Sequence, residues 1–337
     1  MKLRSLSLAL FVLVFVSGCE QAANEDGYAH SEVSADELLG FISQVKGSLV
    51  FVEGGEFLMG DYGAQHSPER LPYDGGKDSK PLHGVKLTSY SIDKFKVRNK
   101  DYQFYLRFHG LNLRQDVGGG GKYALTSVPP DNPAHMDWYE ANQYCNWLAD
   151  VSGLPFSLPT EAQWEYAARS RGKFMIVATD DGTYKAVRHV VEANGRTDIK
   201  GVNISGPWDR KLFAEQMGWN TGGLTPLPVD SFPPNPLGLY AMSDNGQEWV
   251  KDWYDPDYYK YSPENDPQGP DGPVHKDKFG RDTKVLRGQE YADPVWGGAA
   301  NIYRTPAEPH GYVSDDETPY LNANTARCAV NSSAPIK

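Results

Sequence analysis

Cysteine is nearly missing from this chain: 337 residues hold three, Cys19, Cys145 and Cys328. None stands in Cys-x-x-Cys spacing, which makes a structural zinc site a poor reading. Histidine is also sparse, with eight residues and no His-x-x-x-His pair or accompanying Glu motif, so a facial His/carboxylate iron set has little to build on. His83 and His135 read as buried or turn histidines. No Gly-x-Ser-x-Gly is present to make a hydrolase nucleophile elbow. The glycine run 118–121 lacks the Lys-Ser/Thr that would follow in a P-loop and reads as a linker. Positive charge is short as well: 33 Lys and Arg against 44 Asp and Glu give a net charge of -11, which argues against a nucleic-acid surface.

Glycine (34), proline (24) and aromatic residues (12%) are plentiful. That balance favours a loop-rich fold with short elements, and a hydrophobic fraction of 39% is enough to bury a core. At the start, Lys2 and Arg4 precede an apolar run over residues 6–16, too short for a permanent membrane span, then Val16-Ser17-Gly18-Cys19. The arrangement looks like a lipobox: residues 1–18 would be a lipoprotein signal peptide, and Cys19 the lipidated mature N-terminus. Glu20, rather than Asp, after the cysteine favours the outer membrane, facing the periplasm. Residues 19–46 are expected to be a lipidated tether, of which 36–46 have amphipathic helical spacing, and residues 47–337 the folded domain. The remaining two cysteines form an even pair that suggests a disulfide in an oxidising compartment, the alternatives being free thiols or a metal site.

The organising stretch is Leu158-Pro159-Thr160-Glu161-Ala162-Gln163-Trp164. Thr160 and Gln163 make a capping box, and Trp164, Ala167 and Ala168 form one apolar face, which predicts a half-buried helix to Arg169. A second helix is expected over residues 137–151, ended by Gly153, with Trp138, Ala141, Cys145 and Leu148 on one face. A third is expected through Phe108, with Asn99 as its cap. Residues 48–60 read as two strands around Gly54-Gly55, a hairpin signal. Strand patterns recur at 81–96, 284–291 and 327–330, while 173–225 reads as irregular.

These blocks resemble, in order, the formylglycine-generating enzyme or sulfatase-modifying-factor family. They are Val52-Glu53-Gly54-Gly55-Glu56-Phe57-Leu58-Met59-Gly60; Pro81-x-His83 with Ile92-Asp93-Lys94; Tyr144-Cys145-Asn146-Trp147-Leu148 with Leu158-Pro159-Thr160-Glu161; residues 231–240 with Asn245 and Glu248-Trp249; and Leu286-Arg287-Gly288 with Arg327-Cys328-Ala329. The resemblance spans roughly residues 48–332. It implies one α+β domain of the irregular C-type-lectin-like type, loop-rich, with few short helices and strands. It also implies that Cys145 and Cys328 match the family's structural disulfide.

The family's oxidases hold copper(I) with two cysteines after the strand that matches Leu286-Arg287-Gly288. Residues 292–304 contain no cysteine, and Asp293 falls near the first expected position. A hard carboxylate does not replace a soft thiolate for copper(I), so no copper is expected and the chain reads as a catalytically silent member. The resemblance also implies structural calcium at Asn245, Gly246 and Glu248, with a second site near Asn194 and Asn220. The expected function is that of a non-catalytic, periplasm-facing lipoprotein that binds a protein partner. That partner would belong to a secretion system, with the chain acting as a type VI regulator, an accessory factor or a toxin-immunity factor. The alternative is an oxidoreductase acting on a periplasmic peptide or siderophore. The expected partner face comprises Glu290, Tyr291, Asp293, Trp296, Tyr303, His310, Tyr312, Asp315 and Asp316, aromatics among acidic residues.

Overall fold

A computed structural model describes residues 33–114, 127–186, 202–289, 300–312 and 324–336. Helices are α1 (Ala35–Gly47), α2 (Gly63–His66), α3 (Asn99–Phe108), α4 (Trp138–Ser152), α5 (Glu161–Ala168) and α6 (Pro207–Gln216). Strands are β1 (Leu49–Val52), β2 (Gly55–Met59), β3 (His83–Leu87), β4 (Tyr90–Asp93), β5 (Phe156–Ser157), β6 (Gln247–Trp253), β7 (Lys284–Arg287), β8 (Arg304–Ala307), β9 (Asn324–Thr325) and β10 (Ala329–Val330). They form three small sheets, β1-β4-β10-β5, β2-β3 and β8-β7-β6-β9. Among the described residues no helix is long and apolar enough to cross a membrane.

The predicted caps are present. The Thr160 side chain accepts from the Gln163 N–H and the Gln163 side chain from the Thr160 N–H, and Asp137 and Glu140 make the same reciprocal box on α4. Gly153 ends α4 at φ 68°, a left-handed conformation glycine adopts without strain. Asn99 is the first residue of α3 rather than its cap, which is Arg98.

Three expectations change. The strands flanking Gly54 are not a hairpin: β1 pairs with β4, and β2 with β3. A Cβ on Gly54 would lie 2.2 Å from the Leu87 carbonyl oxygen, so glycine here lets the chain cross closely from one sheet to the next. And residues 35–47, within the expected tether, form helix α1, which packs on the rest of the fold. Helix α1 carries a Ser34/Glu37 capping box and buries Phe41 and Val45, with the Phe41 ring stacked 4.2 Å from Phe104. Apolar spacing made α1 amphipathic, and the groove between α3 and α4 gave that face somewhere to go. Helix α6, in the stretch read as irregular, begins on Pro207 with the Asp209 carboxylate bound to the Gly206 N–H.

Helix α5 lies at the centre. Every residue from Glu161 to Ser170 is buried, carboxylates included, and Trp164 has no exposed surface. One apolar cluster surrounds Trp164 with Tyr90, Val250, Leu239 and Val285; a second joins α1, α3 and α4 through Trp147, Tyr105 and Trp249.

Candidate functional site

A helix buried on all sides must neutralise its own charges. Glu161 receives Arg304 in a two-pronged contact, Nε–Oε1 2.7 Å and Nη2–Oε2 3.0 Å, and Arg287 Nη1 at 2.9 Å. Glu165 receives Arg287 Nη2 at 2.7 Å and Arg169 Nη1 at 2.7 Å. Two carboxylates one helical turn apart therefore tie α5 to β7, to β8 and to its own C-terminal end. Burial opposes ionisation of Glu161, but Arg304 and Arg287 outweigh it and hold its carboxyl below the usual range.

A second buried cluster joins β6 to the last strand. Both oxygens of Glu248 are engaged: Oε1 accepts from Lys96 Nζ (2.6 Å) and Arg327 Nη2 (2.8 Å), and Oε2 from Arg327 Nε (2.6 Å) and Trp164 Nε1 (2.9 Å). Burial pushes the Glu248 carboxyl up, yet Arg327 and Lys96 overcome this and pull it down to about 2. The Gly246 carbonyl accepts from Lys96 Nζ at 2.8 Å.

In that geometry the expected calcium set at Asn245, Gly246 and Glu248 is engaged by protein partners. Glu248 and Gly246 spend their oxygens on Lys96 and Arg327, and a divalent cation there would sit against two positive charges. Asn245, at φ 59°, uses its amide on the Leu227 backbone (2.8 Å each way). Asn220 is exposed beyond α6, and Asn194 lies outside the described residues. No group of three or more His, Cys, Asp or Glu able to hold a metal occurs among the described residues.

Cys145 of α4 and Cys328 beside β10 are joined in a disulfide, Cα–Cα 5.6 Å, with no exposed surface. No described cysteine is left as a thiolate, and residues 292–304, where the copper ligands would fall, contain none. The donor set does not fit copper(I).

Of the expected partner face, His310 and Tyr312 come together. His310 is exposed, and its ring lies 4.5 Å from Tyr139 and 5.3 Å from Tyr312. Tyr303 is half-buried elsewhere, packed with Tyr62 and Tyr73, its hydroxyl donating to the Tyr73 carbonyl at 3.1 Å. Glu290, Tyr291, Asp293, Trp296, Asp315 and Asp316 lie outside the described residues, as does Cys19.

The structure extends the His310–Tyr312 pair with residues outside the expected partner face. Ring contacts run on from Tyr139 to Trp138 (5.3 Å) and from Trp138 to Trp253 (6.5 Å). Between the two indoles sits the Lys284 ammonium, 4.0 Å and 3.8 Å from their centroids, donating to the Lys251 carbonyl at 2.8 Å. Burial lowers its pKa to about 8 against the opposing pull of Asp252. The strip adjoins an open groove of about 540 Å³, floored by Leu286 and Thr305, with Phe279 and Arg281 on one wall and Glu308 and Tyr312 on the other. The Glu308 carboxylate is fixed by the backbone N–H groups of His310 and Tyr312, 3.0 Å each. No local signal could have found this strip, because its rings come from α4, β6 and the loop after β8.

Residues 42–318 match the family described as the sulfatase-modifying factor enzyme 1-like domain. The serine/threonine-protein kinase pkn1 of Chlamydia pneumoniae is 28% identical over 239 residues, covering 67% of this chain and 31% of that protein. This chain thus spans about a third of the length of the kinase relatives it matches. The formylglycine-generating enzyme of Streptomyces coelicolor is 29% identical over 281 residues, 72% of this chain and 78% of that one. The mouse inactive C-alpha-formylglycine-generating enzyme 2 is 25% identical over 328 residues, 86% and 87% of the two chains. In fold, the chain resembles PvdO from Pseudomonas aeruginosa, with a TM-score of 0.57 at 23% identity over 84% of this chain and 93% of that one. The chain belongs to the sulfatase-modifying factor enzyme 1-like family.

Proposed function

We propose that this chain is a non-catalytic member of its family that binds a protein partner. In this reading it is anchored by a lipid on Cys19 in the outer membrane, faces the periplasm, and serves a secretion system as a type VI regulator, accessory factor or toxin-immunity factor. The observation that carries the non-catalytic part is the fate of the cysteines. The two in the fold are consumed by one disulfide, which leaves no thiolate pair for copper. A mouse relative spanning most of this chain is itself named inactive. The strip Trp253, Trp138, Tyr139, His310 and Tyr312 with its adjoining groove supports partner binding, because rigid aromatics beside fixed polar groups make good protein contacts.

The test is a stoichiometric complex. Envelope proteins captured by the wild-type domain are identified and reconstituted with the purified domain, and the same is done with a His310→Ala/Tyr312→Ala variant. A one-to-one complex lost in the variant supports the reading. Oxygen-dependent oxidation of a cysteine peptide by the copper-loaded domain at enzymatic rates would overturn it in favour of the oxidoreductase alternative.

A further inference from the structure

Helix α1 ends against a carboxylate that has no cation. Asp93, at the end of β4, is buried and makes no ion pair among the described residues. Its side chain meets the Cys328 N–H at 3.2 Å and, at 3.3 Å, the hydroxyl of Ser48, the C-cap of α1. The groups around it are committed elsewhere or repel it. Arg327, beside β10, spends its guanidinium on Glu248 and on the Asp93, Lys94 and Tyr240 carbonyls. Lys96 is bound to Glu248 and Gly246, and Lys94 stands over the Phe95 ring. From α3, Asp101 adds a second negative charge, held by Arg98 at 2.7 Å and by the Gln44 amide of α1 at 3.1 Å. Tyr144 of α4 lies on the same side, its phenol pushed far above the usual range by burial and by Asp101.

Ser48 has one hydroxyl hydrogen. The Val45 carbonyl of α1, 2.8 Å away, is the nearer acceptor and takes it. Asp93 then meets the Ser48 oxygen best as a donor, in its protonated form. Burial acts in the same direction and raises the Asp93 carboxyl to about 7. A cavity of about 20 Å³, room for about one water, lies between Asp93 and the end of α1, where Gln44, Val45 and Ser48 line it. Lifting α1 would open this space to water. The helix is held by little apolar surface, since Phe41 and Val45 are its buried side chains. Its last residue is Gly47, with open space where a side chain would stand, a place for the chain to turn.

We propose that α1 is a pH-gated latch: it docks firmly while Asp93 is protonated and loosens, turning about Gly47, as Asp93 ionises. The Ser48 hydrogen is the moving part. In the docked state it goes to Val45, and Asp93 donates to Ser48; with α1 lifted, Val45 is gone and the same hydrogen turns to the ionised carboxylate. Released, the 13 residues of α1 can span about 40 Å instead of about 20 Å, and the Phe104 and Trp147 rings that Phe41 covers are laid bare.

The sign follows from linkage. A carboxyl raised in the docked state favours docking below its ordinary value of about 4, and that contribution is lost as pH rises through about 7. The experiment is hydrogen exchange on the whole protein at pH 5 to 8, corrected for the intrinsic pH dependence of amide exchange and resolved for α1 and α4. The opening constant of α1 should rise about tenfold or more from pH 5 to pH 8, with α1 exchanging ahead of α4. Asp93→Asn imitates the protonated form, so it should hold α1 at its pH 5 protection throughout. Ser48→Ala removes both hydrogen-bond alternatives, so it should raise opening more at pH 5 than at pH 8 and shrink the ratio from the other end. An opening constant flat between pH 5 and pH 8, a full rise persisting in either variant, or α1 amides exchanging only together with those of α4 would overturn the proposal.

Discussion

Glu248 and Arg327 face each other with no exposed surface on either side chain, joined by Nε–Oε2 at 2.6 Å and Nη2–Oε1 at 2.8 Å. This contact ties the start of β6 to the segment carrying Cys328. Arg327 also donates to the carbonyls of Asp93, Lys94 and Tyr240, so one guanidinium holds three chain segments. Replacing Arg327 by Met leaves Glu248 with only Lys96 as a charged partner. The expected loss is about 3–5 kcal/mol of unfolding free energy, read from urea titration at neutral pH. A loss below about 1 kcal/mol would mean the pair is dispensable.

The pH dependence follows from opposed shifts. Glu248 is depressed to about 2, so its contribution is present above its unfolded value near 4.5 and is lost as pH falls toward 2. Asp93 is pushed the other way, to about 7, by burial, which outweighs the Cys328 N–H and the Arg327 charge. Its protonated form is favoured in the folded chain, so its contribution is present at low pH and declines as pH rises from about 4 through 7. Asp252, raised to about 7 by burial and by Glu161, acts in the same sense. The melting temperature should therefore be higher at pH 5 than at pH 8. Asp93→Asn should shrink that difference; a wild-type protein more stable at pH 8 would contradict the argument.

The disulfide closes a loop of 183 residues between α4 and the C-terminal strand. Removing it as a Cys145→Ala/Cys328→Ala pair should cost roughly 2–5 kcal/mol. Thermal melts of the double variant, and of wild type with reductant, should agree; a reductant-insensitive wild-type melt paired with a much weaker variant would point to lost packing instead.

Helix α1 offers a test of where the domain begins. Phe41 is 7% exposed and stacks on Phe104. Phe41→Ala should destabilise by about 3 kcal/mol and expose α1 to protease. In wild type, cleavage should stop near Ser34. Trimming to residue 47 without loss of stability would restore α1 to the tether.

Local chemistry determined much of this molecule in the sequence itself. The caps at Thr160 and Asp137, the Gly153 stop and the short strands are written in residues a few positions apart, and near-neighbour hydrogen bonds and backbone sterics suffice to form them. The missing oxidase cysteines are equally a property of the chain alone. What tertiary structure decided are relations between distant positions. Glu161 and Glu165 stand on a helix expected to be half-buried, and Arg287 and Arg304, arriving from β7 and β8, are what neutralise them in the interior. Glu248 read as an oxygen ligand until Lys96 and Arg327 occupied both its oxygens. Gly54 read as a hairpin turn until the Leu87 carbonyl showed it to be a close crossing. Trp138, Trp253 and His310 share no pattern along the chain, and only the packing of α4 against β6 and the loop after β8 lines them up. A carboxylate carries the same local signature whether water, a metal or an arginine will meet it, and that choice belongs to the fold.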